Sequence, residues 1–346
     1  MSEKSQITKG AIISYISIFI SITISLIYTP WMIHKVGVSD YGLYSLVGAF
    51  LSYFMLDFGL SGAVTRFVAK YRAEGDEKKV ENMLGLTAKM YFAIDVVIFL
   101  VITIVYFFLT DIFKGLTPEE LGKLKVLYCI SGTFSVLSFA FKPVGGVMAA
   151  YEYFVVNKSL DIVVRVGTVI FIIIALLLDG NIFHVVFITG ATGFITAIIR
   201  YSFLIKKTKL KINWKYFHKD ELNSLFSYSI WVLVRQFAQL FRLNLVPTIL
   251  GIVSNTAEIA IFAVGRSLEG FVFTFSAALN GLFLPKVTRI AQANNQAQLK
   301  ELMVRVGRIQ LYIITLILFG FSVYGQSFIR VWVGAEFDKS FWVLIL

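Results

Sequence analysis

The chain has 346 residues, 58% of them hydrophobic and 15% charged, with a mean hydropathy of +0.78 and a net charge of +11. A soluble domain carries about 25% charged residues, and a soluble chain with 33 phenylalanines would expose apolar patches that associate in water; the class is a polytopic helical membrane protein. The 32 Lys and Arg fall mostly in short loops, not in the aromatic-plus-basic pattern of a nucleic-acid groove, and a single cysteine, Cys129, excludes a disulfide framework and a thiolate metal site.

In chain order, apolar runs predict spans near 11–33, 41–64, 83–109, 123–150, 159–178, 182–205, 225–250, 257–284 and 303–325, with a tenth beginning near 339. No small-residue cleavage site follows MSEKSQITKG, so the first run reads as a retained span and not as a cleaved signal peptide. With the N-terminus in the cytoplasm, the inside segments carry 20 Lys and Arg against six outside, which sets that orientation by the positive-inside rule. Arg66, Lys70 and Arg72 then mark the cytoplasmic end of the second span.

Charges inside the spans are costly, about 2.5–3.5 kcal/mol each at a helix centre, and usually face a bundle interior or a wet cavity. Asp57, in LDFGLSG, reads either as a carboxylate satisfied by a neighbouring helix, with Lys89 as one basic partner, or as a group that couples transport to an ion. Lys142 precedes Pro143 and Gly145-Gly146, where the fourth span is expected to bend and free backbone carbonyls; a ligand contact and a hinge explain it equally. Asp161 and Arg165 stand at i, i+4, and Arg266 and Glu269 at i, i+3, so each pair can neutralise itself. In the seventh span, SYSIWVLVRQFAQLFRLNLVP, Arg235, Gln239 and Arg242 fall at i, i+4 and i+7 on one stripe. Guanidinium groups suit phosphate. The functional reading is a wall of donors facing a cavity, and the bland one is a polar seam satisfied by a neighbouring helix.

An internal repeat lays GAVTRFVAKYRAEGDEKKVENMLGLTAK, from Gly62, over GLFLPKVTRIAQANNQAQLKELMVRVGR, from Gly281. Partners lie six spans apart, an even number, so two halves of like orientation are expected, with the boundary in the basic loop KKTKLKINWKYFHKDELNS at 206–224. The expected fold is therefore all-α: two pseudo-symmetric six-helix lobes, residues 1–210 and 211–346, the second cut short after about ten spans. Leu346 maps onto residue 127, so the sequence is expected to be a fragment.

The VGVSDYGLYS outer loop, followed by LDFGLSGAVTRFVAKY and a charged loop, resembles the start of bacterial oligosaccharide flippases of the multidrug/oligosaccharidyl-lipid/polysaccharide exporter superfamily. The resemblance runs along the whole chain. It implies 12 to 14 spans in two lobes around a central cavity, alternating access, and a substrate of undecaprenyl-diphosphate-linked oligosaccharide moved across the bacterial plasma membrane for surface polysaccharide synthesis. The partners implied are that lipid-linked diphosphate, membrane lipids, and polysaccharide polymerases and glycosyltransferases; no cofactor, metal or nucleic acid is expected. Arg235, Gln239 and Arg242, with Arg266 and Lys142, are the candidate substrate-binding residues, and Asp57 is the candidate for ion coupling. The competing transport function is an ion-coupled multidrug efflux pump of the same fold. A membrane enzyme is the rival from another class, but no catalytic residue is assigned: the outer loop at 110–122 is short and holds no paired catalytic constellation.

Overall fold

The computed structural model of the protein describes residues 3–292 and 296–345; residues 293–295 of the second repeat segment lie outside the described residues. The elements are α1 (Glu3–Val36), α2 (Val38–Ser52), α3 (Leu60–Ala73), α4 (Glu77–Ile112), α5 (Pro118–Phe139), α6 (Lys142–Ala150), α7 (Phe154–Leu177) and α8 (Ile182–Thr208). They continue with α9 (Lys219–Val253), α10 (Thr256–Gln292), α11 (Gln296–Trp332), a 3-10 turn (Ala335–Phe337) and α12 (Ser340–Ile345). The protein is all-helical, with no strand among the described residues.

Among the described residues, seven helical stretches are long and apolar enough to cross a membrane: Ile16–Val36, Glu77–Ile112, Pro118–Ala150 (α5 with α6), Phe154–Leu177, Ile182–Thr208, Val232–Val253 and Gln296–Trp332. Helices satisfy every interior backbone group within the segment, which is what hydrocarbon demands. Their apolar side chains point outward as well as inward. On α4, Phe92, Phe99, Phe107 and Phe108 are exposed while Met83, Leu86 and Tyr91 are buried. With 36 residues, α4 rises about 54 Å at 1.5 Å per residue, well beyond a hydrocarbon core of about 30 Å.

The second predicted span departs from expectation. It is two short helices, α2 of 15 residues and α3 of 14, separated by irregular chain at 53–59. The fourth span is likewise divided, α5 ending at Phe139 and α6 starting at Lys142.

Packing gathers Val36–Ile259 with the first ten residues into one compact unit, and Ala11–Lys35 with Ala260–Leu346 into another. This division is by contact, whereas the repeat is one of sequence register. In the first unit α5 packs on α8, α7 on α8, α3 on α6, and α2 on α5 and α9. At one end of it the 209–218 segment lies on the start of α4. The Lys211 N–H donates to Glu81 Oε1 (2.8 Å), Asn213 Nδ2 to Asn82 Oδ1 (2.7 Å) and Lys89 Nζ to the Tyr216 carbonyl (3.0 Å). Gly85 makes this approach possible, because a Cβ there would collide with the Asn213 carbonyl. At the other end Thr117 and Glu120 cap α5 reciprocally. Glu120 Oε1 also accepts from Ser39 (3.0 Å) and Thr256 (2.5 Å), drawing together the starts of α2, α5 and α10. In the second unit, Trp332 Nε1 donates to the Leu26 carbonyl (2.6 Å) and Ser340 Oγ to that of Ile261 (2.6 Å).

Candidate functional site

Two interrupted helices lie side by side. At the first interruption Phe58 (φ 54°) and Gly59 (φ 73°) both adopt left-handed backbone, which turns the chain and starts α3. Asp57 makes the turn stable: its Oδ1 accepts the Gly59 N–H at 3.0 Å, and its carbonyl accepts the Leu60 N–H at 2.9 Å. This is an Asx turn closing the orphan donors of a helix start. The carboxylate is half-buried and is faced by the side chains of Ser61, Lys142 and Gln236.

The second interruption supplies Lys142, the first residue of α6, with Pro143 in the first helical turn. Its ammonium donates to the Met55 carbonyl, one of the acceptors that the first interruption frees, and lies 4.9 Å over the Phe139 ring. The lysine supplies a partner for that carbonyl by reaching across 87 residues of sequence. The far ends are tied as well. Arg72 Nη1 donates to the Ala150 carbonyl (2.8 Å), and its guanidinium sits 4.9 Å over the Tyr151 ring and 3.8 Å from Glu152 Oε1. The two short helices α3 and α6 thus run parallel, start clasped to start and end to end.

The third component, α9, crosses the first interruption. A Cβ on Gly59 would meet Val232 at 2.7 Å, and the Tyr53 and Phe241 rings stand 5.7 Å apart. An apolar cavity of about 430 Å³ opens beside it, walled by Tyr53, Phe58, Ile94, Val101 and Phe237. Arg235, Gln239 and Arg242 are all exposed on α9, within the stretch Val232–Val253 that is long and apolar enough to cross a membrane.

The family model described as polysaccharide biosynthesis protein matches residues 7–285. The chain belongs to the polysaccharide biosynthesis protein family. Among solved structures, an inward-facing multidrug resistance MATE family transporter of the MOP superfamily aligns with a TM-score of 0.65 at 12% identity, over 96% of this chain and 78% of that one. A MATE protein crystallised in complex with MaD3S aligns with a TM-score of 0.59 at 14% identity, over 99% and 78%. At these identities the likeness is one of fold. No curated protein matches the sequence.

The predicted residues of this family member are not all brought together. Asp57 and Lys142 meet at the paired interruptions, with Gln236 of α9. Arg235, Gln239 and Arg242 share their stripe on α9. Arg266, on α10 in the other compact unit, pairs with Glu269 on its own helix. Asp161 is engaged by Arg200 of α8, and by Lys158 at 3.5 Å, a cross-helix pairing that i, i+4 spacing does not reveal. Lys89 binds the Tyr216 carbonyl, so its ammonium is used to hold the basic loop. Sequence reasoning missed Gln236, which lies one residue off the arginine stripe. It also missed Ser61, whose hydroxyl is 3.0 Å from that of Tyr91.

Proposed function

We propose that this protein is a flippase that moves an undecaprenyl-diphosphate-linked oligosaccharide across the bacterial plasma membrane by alternating access, with its N-terminus in the cytoplasm. The observation that carries the proposal is the exposed Arg235–Gln239–Arg242 stripe on a helix apolar enough to cross the membrane. A diphosphate cannot enter a low-dielectric layer unaccompanied, and a fixed guanidinium offers paired donors in the geometry of a phosphate edge. Membership of the polysaccharide biosynthesis protein family supplies the class of cargo. Arg235 and Arg242 would hold the diphosphate, and Gln239 between them would hydrogen-bond it. Arg266, paired with Glu269, and Lys142, bonded to the Met55 carbonyl, are the secondary candidates. Asp57 is the proposed ion-coupling group. A polymerase and glycosyltransferases would take and supply the cargo.

The fold neighbours favour one second reading, since one of them is described as a multidrug resistance transporter: ion-coupled efflux of drugs. One assay separates the two. Protein in proteoliposomes is given a fluorescent undecaprenyl-diphosphate oligosaccharide, and its accessibility in each leaflet is scored for wild type and Arg235→Ala/Arg242→Ala. Removing charges of this kind at membrane depth is expected to slow flipping by about 100-fold. Unchanged flipping in the variant would remove the arginine site; no flipping by folded wild type, alongside export of a cationic dye, would favour efflux.

A further inference from the structure

We propose that the groove between α3 and the start of α9 is a binding site for the phosphate group of a lipid headgroup. The groove has a volume of about 770 Å³ and is lined by Arg66, Phe67 and Lys70 on α3 and by Asn223, Ser224, Ser227 and Val232 on α9. It adjoins the first interruption only through Val232, which also packs against Gly59, and nothing in the transport reading assigns its basic wall.

The lining is amphipathic in the way a headgroup requires. Arg66 and Lys70 stand one helical turn apart, both exposed, so their charges converge on one side. The opposite wall offers the Asn223 amide and the Ser227 hydroxyl as neutral donors. The Ser224 hydroxyl is committed to the Asp220 carbonyl at 2.8 Å and contributes shape. Phe67 and Val232 give apolar surface on which the first carbons of a lipid tail can lie.

Glu74 approaches Lys70 only to 3.9 Å, with the two side chains 42% and 63% exposed, an exposed pair of the kind worth about 0–1 kcal/mol. Glu221 faces the Tyr71 and Tyr216 hydroxyls. A phosphate oxygen bound to Arg66 gains charge-assisted, paired hydrogen bonds.

The groove also stands at the foot of the arginine stripe. Ser224 precedes Arg235 by 11 residues, and at 100° per residue the two fall within about 20° on the face of α9. The rise between them is about 16 Å. A lipid phosphate held in the groove is therefore already aligned with Arg235. The inference stands on the groove and does not need the chain to transport anything.

Two kinds of lipid carry this chemistry, a bilayer phospholipid and a polyprenyl diphosphate, and the test has an arm for each. Protein in phosphatidylcholine nanodiscs is titrated with farnesyl diphosphate in one series and with phosphatidylglycerol in another, with occupancy read by native mass spectrometry. The variants are Arg66→Gln/Lys70→Gln and, as an equal loss of charge outside the groove, Lys78→Gln/Lys79→Gln; thermal unfolding confirms that each is folded. Binding that weakens about ten-fold or more in the groove variant and less than about two-fold in the control supports the site, and the arm in which this occurs identifies the lipid. Equal losses in both variants, or no binding of either lipid by folded wild type, overturns it. Should the double variant not fold, Arg66→Gln and Ser227→Ala alone carry the same comparison. Flipping and binding are scored separately: a wild type that binds but does not flip removes the transport reading and leaves the groove standing.

Discussion

Asp57 sits in a run that hydropathy reads as one continuous span, yet its carboxylate is used at a turn where the helix stops. The side chain holds the Gly59 N–H at 3.0 Å, and Gly59 has the positive φ of 73° that a residue with a Cβ resists. An asparagine keeps that acceptor. Asp57→Asn is therefore expected to leave thermal unfolding in detergent nearly unchanged, while Asp57→Ala, which leaves a half-buried N–H unpaired, loses about 1–2 kcal/mol. If both variants lose stability alike, the negative charge facing Lys142 matters more than the turn. A stable Asn variant whose transport no longer responds to an ion gradient would support Asp57 in coupling. The anomaly of this aspartate was legible in the sequence, since an acid among apolar residues demands a partner. The partner's identity was not, because Lys142 lies 85 positions further on and only the fold brings it near.

The paired short helices α3 and α6 behave as one element. The break before α6 was legible from Pro143 and the two glycines after it, which weaken a helix by known physics. The break before α3 was not. Leu56 and Phe58 keep the local composition apolar across the turn, and α3 then runs on to Ala73, past the last residue that an apolar window would include. Phe58 in left-handed backbone has no composition signal at all. Since α3 and α6 are each under four turns long, their order depends on ties between them more than on propensity. Arg72 provides the distal tie through the Ala150 carbonyl, the Tyr151 ring and Glu152. Arg72→Gln is expected to raise hydrogen–deuterium exchange across 146–152 several-fold, consistent with a loss of about 1–2 kcal/mol of local opening energy, while α8 keeps its protection. A uniform rise over the whole unit would mean that α3 and α6 do not form a separable element.

At the scale of the whole molecule, charge bias predicts orientation and the packing of the first unit makes that prediction testable in detail. The basic segments 66–79 and 206–219 were assigned to the cytoplasmic side by counting Lys and Arg, without any geometry. The structure brings their chains together: the segment carrying Lys211 and Tyr216 is bound to Glu81 and Lys89 at the start of α4, so the two loops share one end. The turns at 37 and 113–117, assigned outside by the same count, also share an end, where Ser39 and Thr256 both donate to Glu120 Oε1. A single wrong span would have sent one of these segments to the opposite end, so the pairing supports the even and odd assignment of every helix from α2 to α9. The positive-inside rule assigns the end of segments 66–79 and 206–219 to the cytoplasm. With Cys129 replaced by Ser the chain has no other cysteine, and single cysteines can report each end. Glu119→Cys, on a side chain 82% exposed, is expected to react with a membrane-impermeant maleimide in intact cells. Lys78→Cys is expected to react only after permeabilisation. The reverse pattern would invert the molecule in the membrane and place the Arg66–Lys70 groove on the outer leaflet. Labelling of both positions from outside would show that the two ends, correctly paired in the fold, are not separated by the bilayer.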